Sequence, residues 1–240
     1  MKTSTRTVAR IVGGSAGVVA LLGFGYLARS WHNYGKVSAS GQPDPLLDRF
    51  MPTYEVREYH EVRVAAPVGV AYDAVRAMDI NRSPLVRGIF RARQLALGGD
   101  EAPAVPRPLL EETQALGWGV LAEEPGREIV MGAVTQPWVA NVRFEGLPPG
   151  EFAAFDRPAY VKIAFTLAAD PIDANTSLVR SETRVTTTDA DARARFRRYW
   201  TLVSPGVRLI RRESMRLVRA DAERRARAAR IRDVAEEELQ

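Results

Sequence analysis

The stretch Ser181–Trp200, SETRVTTTDADARARFRRYW, changes its period in the middle. As far as Thr187 the residues alternate, with Ser181, Thr183 and Val185 on one face and Glu182 and Arg184 on the other, which is the period of a strand. Thr188-Asp189 then supplies an N-cap, and Phe196 and Trp200 begin an apolar stripe that continues through Val203, Val207, Ile210 and Leu217. A strand therefore runs directly into a long basic helix. Pro205-Gly206 is expected to break or kink that helix near its middle. Beyond Arg224 only Ile231, Val234 and Leu239 are large and apolar, so the charged tail 226–240 is expected to be solvated or frayed.

Working upstream, strands are predicted at Ala159–Ala168 and Ser177–Thr187 around the turn Asp173-Ala174-Asn175. A hairpin joins GVLAEE to REIVMGAV across Glu124-Pro125-Gly126, and a further strand is predicted at Val139–Phe144. Near the start, Tyr54–Val64 alternates as a half-buried strand. It leads into PVGVAYDAVRAM, where Pro67 suits a first helical turn and Val70, Ala71, Ala74, Val75 and Met78 recur at helical spacing. Short helices are predicted at about Leu85–Arg93 and Leu109–Leu116, with a loop at Gly98–Pro108.

One strand, two short helices, a run of antiparallel strands and a long closing helix resembles the START-like helix-grip fold, also called the SRPBCC or polyketide cyclase-like superfamily. The resemblance covers about residues 54–225. It is carried by VREYHEVRVAAPVGVAYDAVRAMD, AEEPGREIVMGAV, FDRPAYVKIAFTL and the strand-to-helix stretch quoted first. It implies an α+β domain whose curved antiparallel sheet wraps a long C-terminal helix and encloses a cavity for an apolar ligand. Members of that superfamily bind lipids, sterols and polyketides, and a minority are cyclases or hydroxylase subunits.

Before this domain, Ile11–Ala28 reads IVGGSAGVVALLGFGYLA, eighteen uncharged residues. As a helix it would reach about 27 Å, against a hydrocarbon core of about 30 Å. A single transmembrane anchor is expected, flanked by a basic stretch 1–10 and a linker 29–53 that ends in a docking turn. Lys2, Arg6 and Arg10 precede the segment while Arg29 and Lys36 follow it, which favours an exported domain. The alternative is a cleaved signal peptide, for which Val37-Ser38-Ala39 offers a cleavage site. Gly13 and Gly17 form G-x-x-x-G, so an anchor-mediated homodimer is a further expectation.

Composition narrows the chemistry. With 46% hydrophobic and 26% charged residues the chain is ordinary globular material. Cysteine is absent and the only histidines are His32 and His60, which excludes thiolate nucleophiles, disulfides and His-rich or Cys-ligated metal sites. No cofactor and no metal are expected. From Asp189 to Gln240 fourteen arginines face nine acids, a net of +5 that equals the charge of the whole chain. Anionic lipid fits that excess beside an anchor; nucleic acid has no motif to support it. Signatures of the common hydrolases, kinases and dehydrogenases are missing as well.

Period two places Glu58 and His60 on the same face of the first strand as Val56 and Val62, a polar pair turned to the expected cavity. Such a pair either orients a ligand or acts as acid and base, with an imidazole tuned near neutral pH by its neighbour. Arg180, Glu182 and Arg184 share the opposite face of the last strand and read as a solvated charge ladder, with Arg184 alternatively recognising a ligand anion. Trp118, Trp138, Phe144, Tyr160, Phe165 and Trp200 are the aromatic candidates for lining the ligand site or for filling an ordinary core.

The sequence thus points to a membrane-tethered domain that holds a hydrophobic small molecule or lipid, with no reaction assigned. A cyclase-like enzyme using Glu58 and His60 is one alternative. A non-enzymatic module presenting the arginine-rich helix to anionic lipid or a partner protein is the other.

Overall fold

The computed structural model describes residues 25–26, 29–36, 41, 43–97 and 107–237. Strands β1 (Val56–Val64), β2 (Gly119–Glu124), β3 (Glu128–Thr135), β4 (Phe144–Glu145), β5 (Val161–Asp173) and β6 (Thr176–Thr187) form one sheet. All its pairings are antiparallel, in the order β1-β6-β5-β3-β2 with β4 on β3. The helices are α1 (Pro45–Asp48), α2 (Val68–Arg76), α3 (Pro84–Leu97), α4 (Leu109–Ala115), α5 (Pro149–Ala154) and α6 (Ala190–Glu237). An antiparallel sheet backed by a long C-terminal helix fits the helix-grip architecture.

Chain order and register follow from local chemistry. Asp189 caps α6, its Oδ1 accepting the Ala192 amide at 2.7 Å, while its other oxygen accepts the Ala159 amide and so ties the helix start to the approach to β5. At the far end of the sheet, Asn175 donates its amide to Asp173 Oδ1 at 2.8 Å in the β5–β6 turn. With this turn set, the period of two decides which side chains meet α6.

Toward α6 the sheet presents Ile129, Met131, Phe165, Leu167 and Val179, which pack with Met215, Val218, Ala222 and Ala226 of the helix and with Ala71 and Val75 of α2. Nearer the start of the helix, Val56, Val161 and Val185 meet Phe196 and Trp200. Each large side chain removed from water here contributes about 1.5–3 kcal/mol.

The other face is also covered. Leu46, Leu47, Phe50 and Met51 pack with Leu121, Val130, Val134, Phe152 and Ala164. The docking turn expected at the end of the linker is therefore a layer of the core, laid over the sheet by residues 43–53.

Three expectations change. The helix is not broken at Pro205: α6 runs through it for 48 residues. Proline leaves the Thr201 carbonyl without its amide partner, a loss of about 3 kcal/mol, but the region is held from several sides. Ser204 is buried and its Oγ lies 3.1 Å from Tyr26 Oη and 3.2 Å from Ser30 Oγ, while α3 approaches so closely that a Cβ on Gly206 would stand 3.0 Å from Ile89 Cγ2. Of the two expectations for the tail only fraying fails: it is helical as far as Glu237, and most of residues 227–232 are exposed. Finally, the strand expected at Val139–Phe144 is reduced to the two residues of β4. Pro137 cannot donate to a ladder, and the chain turns back instead, with the Val139 amide on the Gln136 carbonyl at 3.3 Å and Thr135 Oγ1 on the Arg143 carbonyl at 2.7 Å. Helix α5, opened by Pro149 at its first turn, was not foreseen.

Among the described residues no helix is long and apolar enough to cross a membrane. The expected span 11–28 lies outside the described residues except for Gly25 and Tyr26, as does most of the loop 98–108.

Candidate functional site

Between the two apolar clusters on the helix-facing side lies a polar layer. In β1 and β6, Glu58 stands opposite Thr183 and His60 opposite Ser181. The helix brings Arg208 and Arg211 to the same place. Arg208 Nε donates to Glu58 Oε1 at 2.9 Å, and Arg211 Nη2 donates to Thr183 Oγ1 at 2.8 Å. The Arg211 guanidinium also lies 5.4 Å from the centre of the Phe165 ring, on its face.

This layer is incompletely bonded. Among the described residues His60 Nε2 and Ser181 Oγ are buried without a hydrogen-bond partner. The Glu58 carboxylate is 3.8 Å from His60 Nε2, too far for a hydrogen bond. Among the described residues neither Arg211 nor Arg212 lies within ion-pair distance of a carboxylate. Burial, then the positive charges of Arg211, Arg212 and Arg208, pull the His60 imidazole down to about 4. Burial pulls Arg211 down to about 10, which leaves it charged at neutral pH. The imidazole expected to titrate near neutrality is instead a neutral group and a poor base.

Outside this layer, a groove of about 310 Å³ opens between the edge strand β1 and α6. Val62 and Met215 give it apolar wall, Arg212, Arg216 and Arg219 give it cations, Glu61 adds one carboxylate, and His60 links it to the polar layer. On the helix-facing side of the sheet, among the described residues, the two clusters and the polar layer between them meet α6. This groove is open to solvent at the sheet edge.

The nominated residues do not form one site. Glu58 and His60 occupy the polar layer, with Phe165 beneath Arg211. Trp118 packs on Phe165 at 5.2 Å and on Phe144 at 5.1 Å between ring centres, which puts these rings in the core beside β2–β3. Trp138 and Trp200 belong to the cluster at the start of α6. Tyr160 is on the opposite face of the sheet, against Phe155 and under the Arg157 guanidinium.

Arg184 is on that opposite face too, and the charges there are not a solvated ladder. Arg180, Glu182 and Arg184 are all buried, because residues 43–53 lie over them. Arg184 donates to Glu182 Oε1 at 2.6 Å, to Asp48 Oδ1 at 2.5 Å and to the Met51 carbonyl at 2.8 Å, so groups of the protein itself hold it in place. Glu182 also receives Arg57 at 2.8 and 2.7 Å through Nε and Nη2. Arg180 reaches Asp44 at 2.9 Å, Glu128 at 2.9 Å and Asp170 at 2.7 Å. Burial, then the neighbouring Asp44 charge, push Glu128 up to about 7.

Ser181, Arg211, Asp44 and Glu128 were missed as site residues. For Ser181 and Arg211 the signal is three-dimensional: only the β1–β6 register sets a serine opposite His60, and only helix docking brings Arg211 there. For Asp44 the signal is three-dimensional too, since four residues span about 6 Å of helix but about 13 Å of strand, so the spacing of Asp44 and Asp48 does not by itself match that of Arg180 and Arg184.

No protein-family model matches the chain, and no curated protein matches it. Solved structures do. A conserved protein from Geobacillus kaustophilus aligns over 70% of this chain and 96% of its own at 10% identity and a TM-score of 0.34. An aromatase/cyclase from Streptomyces sp. R1128 aligns over 72% and 97% at 13% identity and a TM-score of 0.28. Norcoclaurine synthase from Thalictrum flavum aligns over 75% and 94% at 9% identity and a TM-score of 0.23. Scores this low carry no argument for a shared substrate. Among the described residues no group of His, Asp and Glu is arranged to hold a metal ion.

Proposed function

We propose that this chain is a START-like domain that holds a hydrophobic or lipidic ligand in the groove between β1 and α6, tethered to a membrane by residues 11–28. The observation that carries the reading is the groove itself, where the apolar surface of Val62 and Met215 adjoins a polar layer whose His60 Nε2 lacks a partner. Buried polar atoms are nearly always bonded in folded proteins, and those left over mark places where a ligand, ion or water completes the structure. At about 310 Å³ the groove lies at the small end of ligand sites, which run from about 300 to 1,000 Å³.

The cyclase-like alternative draws no support from the geometry. Glu58 is held by Arg208, and an imidazole pulled down to about 4 takes up few protons at neutral pH. The arginine-rich surface is also partly neutralised within its own helix: Arg216 pairs with Glu213, Arg219 with Glu223, and Arg224 and Arg225 with Asp221.

The test is native mass spectrometry of the full chain extracted in mild detergent, comparing the wild-type protein with Met215→Glu. A co-purified apolar species that is lost in the variant is expected. Wild-type protein that carries nothing and takes up no added lipid would overturn the proposal.

A further inference from the structure

We infer that the ligand is an acid: an apolar chain lies between Val62 and Met215, and its anionic head, a carboxylate or a phosphate monoester, is held by Arg211, Ser181 and His60. The inference rests on the groove reading above and specifies the chemistry of its occupant.

Charge is the first argument. Around His60 stand three guanidiniums, Arg208, Arg211 and Arg212, which are the cations that act on its imidazole. One carboxylate, Glu58, is inside the layer, and it is bonded to Arg208. Among the described residues Arg211 has only neutral partners, the Thr183 hydroxyl and the Phe165 ring. The remaining groove charges are matched or face outward: Arg216 meets Glu213, Arg219 meets Glu223, and the exposed Glu61 accepts the Tyr59 hydroxyl. Arg212 is exposed to solvent, so the partly buried Arg211 is the layer's cation with no carboxylate at ion-pair distance among the described residues. A charge taken out of water without a counter-charge is costly, and a ligand anion removes that cost.

Donor chemistry is the second argument, and it is independent of the first. Ser181 is 1% exposed and its Oγ is unpartnered. The atom across the strand pair from it, His60 Nε2, is unpartnered as well. A neutral imidazole with its proton on Nε2 donates; a hydroxyl donates; the guanidinium of Arg211 has N–H groups to spare. These three donors belong to one layer, and its carboxylate, Glu58, stands 3.8 Å from His60 Nε2, beyond hydrogen-bond reach. An alcohol or ester head would satisfy the serine but leave Arg211 as it is, whereas an oxyanion accepts from all three.

Shape is the third. Val62 is two residues along β1 from His60 on the same face, and Met215 is one helical turn beyond Arg211. A chain leaving the head therefore runs along the apolar wall, with Arg212 at its side.

The experiment uses the full chain in a non-ionic detergent, with imidazole-labelled histidine. Only two histidines exist, so the His60 signal is readily assigned. Decanoate, decyl phosphate, decanol and acetate are titrated separately. Decanoate or decyl phosphate is expected to shift the His60 resonances and raise the pH at which the ring titrates, with decanol binding at least tenfold more weakly. The two acids also distinguish a carboxylate head from a phosphate head. Ser181→Ala and Arg211→Met, checked for folding by their spectra, are expected to lose most of the preference for acid over alcohol.

Equal binding of decanol and decanoate would overturn the acidic head and leave the groove reading standing. A response to acetate as strong as to decanoate would overturn the apolar chain. No response to any of the four would overturn both readings. Preference for the acid that survives in both variants would remove Ser181 and Arg211 from the site.

Discussion

Asp44 lies across the outer face of the sheet from Arg180, its Oδ2 2.9 Å from Nη1, and both side chains are buried. The same carboxylate caps α1, its Oδ1 accepting the Leu47 amide at 2.8 Å. A residue from the segment that precedes β1 thus both starts a helical turn and locks that turn to a strand 136 positions away.

Removing either partner is expected to destabilise the domain unequally. Asp44→Asn keeps a polar cap and leaves Arg180 with Glu128 and Asp170, whereas Arg180→Met strands three carboxylates together. Breaking a buried pair costs about 3–5 kcal/mol, and the arginine variant is expected at or above the upper end. Urea unfolding of the two variants at neutral pH measures the difference; equal losses would count against this ranking.

Glu128 makes that face sensitive to pH. It faces Arg180 from β6 and Asp44 from the docked segment. Its folded value, about 7, stands above its ordinary 4.5. An acid raised on folding stabilises fully below the ordinary value, and that contribution fades as pH rises through the folded one. Stability is therefore expected to decline between about pH 4.5 and 7 from this group, and Glu128→Gln is expected to flatten that part of the profile. An unchanged slope in the variant would assign the decline elsewhere.

His60 acts in the opposite direction. Its folded value of about 4 lies below the ordinary 6.5, so its contribution is present above 6.5 and is lost as pH falls toward 4. Nuclear magnetic resonance is expected to show a neutral His60 ring at pH 5.5. Arg211→Met takes away the strongest of the three cationic influences, so the ring's titration should move upward.

Proline 205 offers a stabilising change. Pro205→Ala returns an amide to the Thr201 carbonyl in the middle of α6, and interior prolines cost roughly 3 kcal/mol relative to alanine. A higher melting temperature is expected, reduced by whatever the Tyr26 and Ser30 contacts with Ser204 lose in the adjustment. A lower one would mean that those contacts depend on the proline.

For the N-terminal segment the expectation is retention. Protein recovered from membranes is expected to begin before Ile11 and to resist alkaline extraction. A mature N-terminus close to Ala39 would identify a cleaved signal peptide and turn the domain into an exported carrier.

Patterns of short range were legible from residue order. The switch from alternation to helical spacing at Thr188-Asp189, the Asp173-Ala174-Asn175 turn and the hairpin at Glu124-Pro125-Gly126 each depend on a few neighbouring residues, and each stands where expected. So does the common face of Glu58 and His60, since a strand's period of two needs no tertiary information. Val139–Phe144 failed because alternation survived there while Pro137 had already ended the ladder.

What alternation cannot say is what lies over each face. Arg180, Glu182 and Arg184 look solvent-facing in any strand, and they became interior only because a distant turn with matching acids docked on them. The same holds for the helix that carries Arg211. Its stripe was readable, but its rotation and height against the sheet come from the packing of Phe196, Trp200, Met215 and Val218, and that packing sets a cation beside His60 and Ser181. The sequence by itself determined the elements and the face each residue takes, because those depend on local geometry. Only the tertiary structure decided which faces are buried and which charges meet, because burial and Coulomb energies belong to pairs of surfaces that the chain brings together from far apart.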